Sequence, residues 1–196
     1  MSRPAFSVVI PTIGRPSLPC TLASCQHPDV EIIVVADTFE MSKHDINAIR
    51  LTAKDYGADF LTFDAGHHDT GSPQLQHGYE QASGLWIMNL GDDDRYEPFA
   101  FETMQWVIST LAEPVPLMFR TILHPGPQRG NRVPVVLWAD AEIRDKNITG
   151  QCFVIPNDPA RMGSWLHHVD YGFITSTVER WGGRIEWRTE VISQCY

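Results

Sequence analysis

The sequence predicts an α/β fold built on a mostly parallel sheet, and three observations predict it. Apolar runs rich in β-branched residues, at Phe6-Ser7-Val8-Val9-Ile10, Val30 to Ala36 and Asp59 to Phe63, alternate with segments of helical periodicity. The connections are short, and strand–helix–strand repeats of this kind close as parallel sheets with right-handed crossovers. A stretch with three consecutive carboxylates, Leu90-Gly91-Asp92-Asp93-Asp94-Arg95-Tyr96-Glu97-Pro98, follows a further apolar run from Leu85 to Leu90. The acids therefore fall at a strand's carboxyl end, the edge at which open α/β sheets bind ligands.

Composition bounds the function. At 196 residues the chain can bury a sizeable core and reads as one domain, 1–196, without a linker. A hydrophobic content of 43% against 20% charged residues excludes a disordered chain. No apolar run approaches a membrane span and the first residues lack a signal-peptide pattern, so no membrane partner and a cytoplasmic location are expected. Cys20, Cys25, Cys152 and Cys195 lack paired metal-ligand spacing, which predicts reduced, structural thiols and no zinc site. The net charge of −9 opposes non-specific adhesion to nucleic acid or anionic lipid.

Taken in order, the first strand ends in the loop Pro11-Thr12-Ile13-Gly14-Arg15-Pro16. Gly14 allows close backbone approach to a ligand, Thr12 offers a hydroxyl and Arg15 can reach a phosphate; an ordinary strand-to-helix turn is the alternative. Asp37 follows the second strand at the same sheet edge, placed to accept a hydrogen bond from a nucleobase N–H or simply to bend its loop. Ser42 caps a helix through Ile46, Ile49 and Ala53, with Asp45 three residues on. The polar loop after the third strand carries His67, His68 and Asp69, and because adjacent side chains on a loop diverge these read as a solvated loop rather than a metal site. Ser72-Pro73 opens the next helix, with Ser72 as cap, and Pro98 is placed to open the one after the acids.

Beyond Pro114 the helices stop alternating. Leu117 to Leu123 and Val133 to Trp138 read as strands around a Pro/Gly-rich loop bearing Arg129 and Arg132, and Asn147 to Pro156 reads as one more strand, so the sheet is expected to be mixed. A helix through Ile174, Val178 and Trp181 ends at Gly182-Gly183, and Arg184 to Arg188 alternates like an edge strand. Asp170 falls at the helix start, where it caps the helix or acts as a base. The three acids pose an electrostatic question: two carboxylates about 4 Å apart repel by roughly 4 kcal/mol at an effective dielectric of 20. Water or a cation must answer it, and a divalent metal is the simplest cation.

Four of these segments, in this order, resemble the family 2 glycosyltransferases with the GT-A nucleotide-sugar fold. Ser7 to Pro16 resembles the family's opening strand and nucleotide loop, and Glu31 to Asp37 its second strand with a base-reading Asp; Gly78-Tyr79-Glu80-Gln81-Ala82-Ser83-Gly84 resembles the helix before the metal strand, and Leu90 to Pro98 the metal motif with its trailing proline. Ala36 stands where an acid is common, Gly91 occupies the first position of the usual Asp-x-Asp-Asp form, and Leu75-Gln76 replace the usual Arg-Asn. The resemblance implies a Rossmann-type three-layer α/β/α sandwich with a mostly parallel, mixed central sheet, a nucleotide-sugar half (1–98) and an acceptor half (99–196). It further implies a metal-dependent, inverting hexosyltransferase-type enzyme that moves a sugar from a nucleoside-diphosphate sugar, first of all a UDP sugar, to an acceptor hydroxyl. Pro11, Thr12, Gly14, Arg15, Asp37, Gln76, Asp92 and Asp93 would bind the donor, Asp93, Asp94 and His168 would hold Mn2+ or Mg2+, and Asp170 would be the base. The acceptor is left open among a soluble molecule, a protein surface and a modified nucleic-acid base, as is homo-oligomerisation. Two other readings compete: nucleotidyl transfer to a sugar phosphate, for which Gly14-Arg15 is a sparse phosphate loop, and a non-catalytic sugar- or metal-binding module.

Overall fold

The computed structural model describes residues 3–66, 71–126, 131–165 and 170–196. Its first half runs β1 (Phe6–Thr12), α1 (Leu18–Ser24), β2 (Val30–Asp37), α2 (Lys43–Asp55), β3 (Asp59–Phe63), α3 (Ser72–Gln81) and β4 (Trp86–Asn89). Its second half runs β5 (Arg95–Tyr96), α4 (Ala100–Ser109), β6 (Leu117–Leu123), β7 (Val135–Leu137), β8 (Phe153–Pro156), α5 (Asp170–Arg180) and β9 (Glu186–Cys195), with one 3₁₀ turn, Gly150–Cys152, ahead of β8.

The strands form one sheet in the order β3-β2-β1-β4-β8-β6-β9-β5, with β7 also paired to β6. β1 pairs in parallel with β2 on one side and β4 on the other, and β2 pairs in parallel with β3. The chain thus steps outward from β1 to β3, then returns across β1 to lay down β4. Right-handed crossovers in opposite directions put α1 and α2 on one face and α3 on the other, which gives the layered, GT-A-like α/β sandwich. Because both faces are covered, the central strands are apolar throughout: Val8, Val9, Ile10, Val34, Val35 and Ala36 are all fully buried. α3 lies directly on the sheet, since a Cβ at Gly78 would stand 2.3 Å from Val9 Cγ1. In the second half β8 joins antiparallel to β4 and β6, while β6 and β9 run parallel.

Several boundaries differ from the sequence reading. Ser42 does cap α2, accepting from the Asp45 N–H at 3.2 Å. Ser72, by contrast, lies inside α3, whose cap is Gly71 at φ 89°, a left-handed conformation suited to glycine. α4 begins only at Ala100, with Phe99 at its cap, so Pro98 lies in the preceding turn. The expected strand from Asn147 divides into the 3₁₀ turn and β8, because Gly150 tucks the chain against the floor of the site. The alternation at Arg184 to Arg188 runs into β9, which pairs with β6 from Glu186 onward and with β5 only at Ser193 and Gln194. Register shifts against β6 between Met118 and Thr121 accommodate its polar residues. Among the described residues no helix is long and apolar enough to cross a membrane.

Candidate active site

The reversal of strand order between β1 and β4 opens a crevice at their carboxyl ends, and the two loops that leave those ends are joined there. Thr12 Oγ1 donates to Asp92 Oδ2 at 2.7 Å and accepts from the Gly14 N–H at 2.9 Å. Gly14 takes φ 81°, which turns the loop so that Arg15 reaches back to pair with Asp92, 3.9 Å from Asp93 Oδ2. Burial would lower the affinity of the Arg15 guanidinium for its proton, but the hydrogen bond to Asp92 and the charges of Asp92, Asp93 and Asp94 outweigh it and raise its pKa. Asp92 is only 1% exposed, so a hydroxyl and a guanidinium stand in for the water it has lost.

Asp94 is equally enclosed and equally well served. Its Oδ1 accepts from the Tyr196 N–H at 2.9 Å and its Oδ2 from Gln151 Nε2 at 2.9 Å, while its carbonyl takes the Thr21 hydroxyl at 2.8 Å. The repulsion expected among the three acids is therefore largely answered by the protein's own donors, beside the water or cation that the sequence called for. Asp93 is the outward one, with its side chain 37% exposed. Gly91 explains the departure from the acidic form at that position: a Cβ there would meet Asp94 Oδ2 at 2.6 Å and Asp93 Oδ1 at 3.1 Å. The two carboxylates are gathered over the glycine, an arrangement suited to half the shell of a hard divalent ion. Among the described residues no group of three His, Cys, Asp or Glu side chains completes a cage, and Mg2+-type sites commonly take their remaining oxygens from substrate phosphates and water. His168, the third expected ligand, lies outside the described residues, as do His67, His68, Asp69 and Arg129.

Asp170 is the first residue of α5, where the helix dipole favours an acid. Its Oδ2 accepts from the Gly150 N–H at 2.8 Å and from Thr149 Oγ1 at 3.0 Å, and its Oδ1 has no hydrogen-bond partner among the described residues. Beneath it Tyr79 donates to Asn89 Oδ1 at 3.0 Å. Burial, with the charge of Asp170 adding to it, pushes this phenol well above its ordinary range, so it stays a donor. Gln76 accepts the Trp165 N–H at 3.0 Å and donates to Glu80 at 2.9 Å, so it ties Trp165 to α3. Gly150 is wedged between these groups, since a Cβ would stand 2.9 Å from Asn89 Nδ2 and 3.1 Å from Asp170 Oδ1. Gly150→Ala is expected to lower the melting temperature by about 3–10 °C, the equivalent of roughly 1–3 kcal/mol of overpacking. An unchanged calorimetric midpoint would show that the wedge is slack.

Asp37 ends β2, 4% exposed, and its Oδ1 accepts the Phe39 N–H at 3.0 Å, so it bends its loop as well as standing at the crevice edge. Pro11 closes β1 against the start of α3, near the position a Cβ on Gly71 would take at 3.1 Å. An open groove of about 590 Å3 lies beside the first loop, lined by Ile13, Gly14, Arg15, Phe39, Met41 and Ile49; Asp37 is not in its lining. Thr149, Gln151 and Tyr196 escaped the sequence reading. The run containing Gly150-Gln151 resembled a strand, and no local pattern ties Tyr196 to acids 102 residues earlier.

Fold and crevice together define a GT-A-like α/β domain whose acids and first loop meet at the point where strand order reverses. No family model matches the sequence, and a search of curated proteins returns no match. Solved structures do share the fold. S. aureus TarS superposes with a TM-score of 0.68 at 14% identity, over 97% of this chain and 36% of that one. TarS 1–349 in complex with UDP-GlcNAc gives 0.69 at 14% identity, covering 97% of this chain and 58% of that one. TarS 1–349 in complex with UDP gives 0.65 at 15% identity, covering 97% and 60%. The chain thus spans from about a third to three fifths of the TarS chains it matches.

Proposed function

We propose that this domain is a glycosyltransferase that uses a nucleoside-diphosphate sugar, with a UDP sugar as the first candidate donor. The observation that carries the reading is the joining of the first loop to the acids, Thr12 and Arg15 on Asp92, with Asp94 and Asp170 bound to one turn across the same crevice. The likeness of fold to a protein solved with UDP-GlcNAc and UDP supports it. The groove beside Gly14 falls within the roughly 300–1,000 Å3 usual for small-molecule sites, so it has room for a nucleoside. Asp37 would accept from the base, and Pro11, Thr12 and Gly14 would line the diphosphate.

Transfer would break the bond between the anomeric carbon and the diphosphate, with the electron pair leaving on the diphosphate oxygen, while the acceptor oxygen attacks from the opposite face and inverts the centre. A Mn2+ or Mg2+ ion, when bound, would neutralise the charge growing on the departing diphosphate. Asp93 and Asp94 would hold it. Arg15 would keep Asp92 paired and add positive charge at the same rim. Asp170 would take the acceptor's proton on Oδ1, the oxygen its anchoring bonds leave open, when the hydroxyl comes within about 3 Å.

The test is a thermal-shift and calorimetric screen of UDP, UDP-GlcNAc and other nucleotide sugars, with and without MnCl2. A ligand at 100 times its Kd adds about 2.7 kcal/mol to the native state and raises the melting temperature. At least one nucleoside diphosphate is expected to do so, more strongly with Mn2+. Silence across all of them would sink the reading in favour of a non-catalytic module, and release of pyrophosphate instead of nucleoside diphosphate would replace it with nucleotidyl transfer.

A further inference from the structure

We infer that the turn Thr149-Gly150-Gln151 sets the spacing between the two halves of the reaction, with Gln151 as the residue that positions Asp94. The inference rests on the roles proposed above for Asp94 and Asp170. One three-residue segment binds both carboxylates: Gly150 N–H and Thr149 Oγ1 hold Asp170 Oδ2, and Gln151 Nε2 holds Asp94 Oδ2. The two arms also touch each other, because Thr149 Oγ1 contacts Gln151 Oε1 as well as Asp170 Oδ2, and a hydroxyl has one proton to give. Which acceptor receives that proton is thus coupled to how both acids are held. Gly150 leaves no room for a side chain, since a Cβ would stand 2.9 Å from Asn89 Nδ2 and 3.1 Å from Asp170 Oδ1. The turn therefore packs closely between β4's end and α5's start.

Asp94 accepts the Tyr196 N–H at Oδ1, and Gln151 Nε2 donates to Oδ2, the oxygen facing Gly91 and Asp93. Without the Gln151 amide, Oδ2 loses the donor that aims it beside Asp93 Oδ1, and the pair of oxygens over Gly91 loses part of its geometry. Groups that orient metal ligands commonly contribute 10–100-fold to metal affinity.

The experiment compares Gln151→Met with Gln151→Ala and Thr149→Val with Thr149→Ser. The readouts are calorimetric titration of MnCl2 into the protein with saturating UDP, the UDP affinity without metal, and steady-state kcat and KM. Gln151→Met keeps the volume and removes the donor. Both Gln151 variants are expected to weaken Mn2+ by about 10–100-fold and to lower kcat in step, while the metal-free UDP affinity stays within about twofold. Thr149→Val should lower kcat by roughly tenfold and Thr149→Ser should restore it. A wild-type-like Gln151→Met beside a defective Gln151→Ala would mean that the side chain merely fills space, and the inference would be wrong. Wild-type Mn2+ affinity in both would overturn it equally. If the wild-type protein binds neither UDP nor Mn2+, the functional reading fails first and the inference falls with it; wild-type binding beside indifferent variants defeats the inference alone.

Discussion

Asp170→Asn is expected to lower kcat by about 10²–10⁴-fold, the range a positioned general base contributes. The variant is well suited to separate chemistry from structure. Asn is isosteric, and its amide oxygen can still accept from Gly150 N–H and Thr149 Oγ1, the donors that anchor Asp170 now. At the start of α5 the lost charge costs only about 0.3–1 kcal/mol of dipole stabilisation, so the fold should survive with its melting temperature within a few degrees. What the amide cannot do is take a proton from an acceptor hydroxyl. Affinity for UDP and Mn2+ should stay within about twofold, because Asp170 touches neither in the proposed arrangement, and the whole loss should appear in kcat. If Asp170 serves only the helix terminus and the Gly150 wedge, Asp170→Asn will turn over at the wild-type rate.

The two halves of the molecule were not equally legible in the sequence. The first half was legible, because parallel strands covered on both faces must be apolar, and β1 and β2 announce themselves as near-continuous apolar runs, with the part-exposed β3 beyond them. The position of the acids followed from the same logic. The second half was harder. β7 covers only Val135–Leu137 and β5 only Arg95–Tyr96, too short for any periodicity to register. β9 carries Arg188, Thr189 and Glu190 through a region of register shifts, where alternation fails as a guide. The identities of the acids were visible but their division of labour was not. It depends on contacts spanning 77 residues from Arg15 to Asp92, 57 from Asp94 to Gln151 and 102 from Asp94 to Tyr196. Only the strand order brings those residues together, and strand order is set by crossover handedness and packing in the assembled sheet. Gln76 carries a contact that no pattern announces: the resemblance points it to the donor, and in the folded chain its Oε1 also accepts the Trp165 N–H.

That division of labour predicts that Asp93 and Asp94, adjacent and chemically identical, will behave differently when removed. Asp93→Ala should abolish transfer at any practical Mn2+ concentration and leave the fold intact, since the side chain is 37% exposed and substitutions at such positions usually shift stability by no more than about 0.5 kcal/mol. Asp94→Ala should abolish transfer too, but it also removes the charged acceptor of two part-buried hydrogen bonds, from the Tyr196 N–H and the Gln151 amide. Each hydrogen bond to a charged group contributes about 1.5–3 kcal/mol, so losing two costs about 3–6 kcal/mol, and at roughly 2–4 °C per kcal/mol for a chain of this size the melting temperature should fall by about 6–24 °C. Raising Mn2+ concentration should not recover either variant, because the carboxylate oxygens that would face the ion are gone. The decisive readout is the pair of differential scanning traces taken beside metal-dependent turnover. Equal stability losses would mean that the burial contrast between the two acids does not govern their roles, and unchanged, metal-independent turnover in both would remove them from the chemistry altogether. The contrast follows from the glycine beneath them: Gly91 lets Asp94 fold inward over the backbone toward β9's end while Asp93 is turned to the crevice, so one acid of the pair is structure and site together, and the other is site alone.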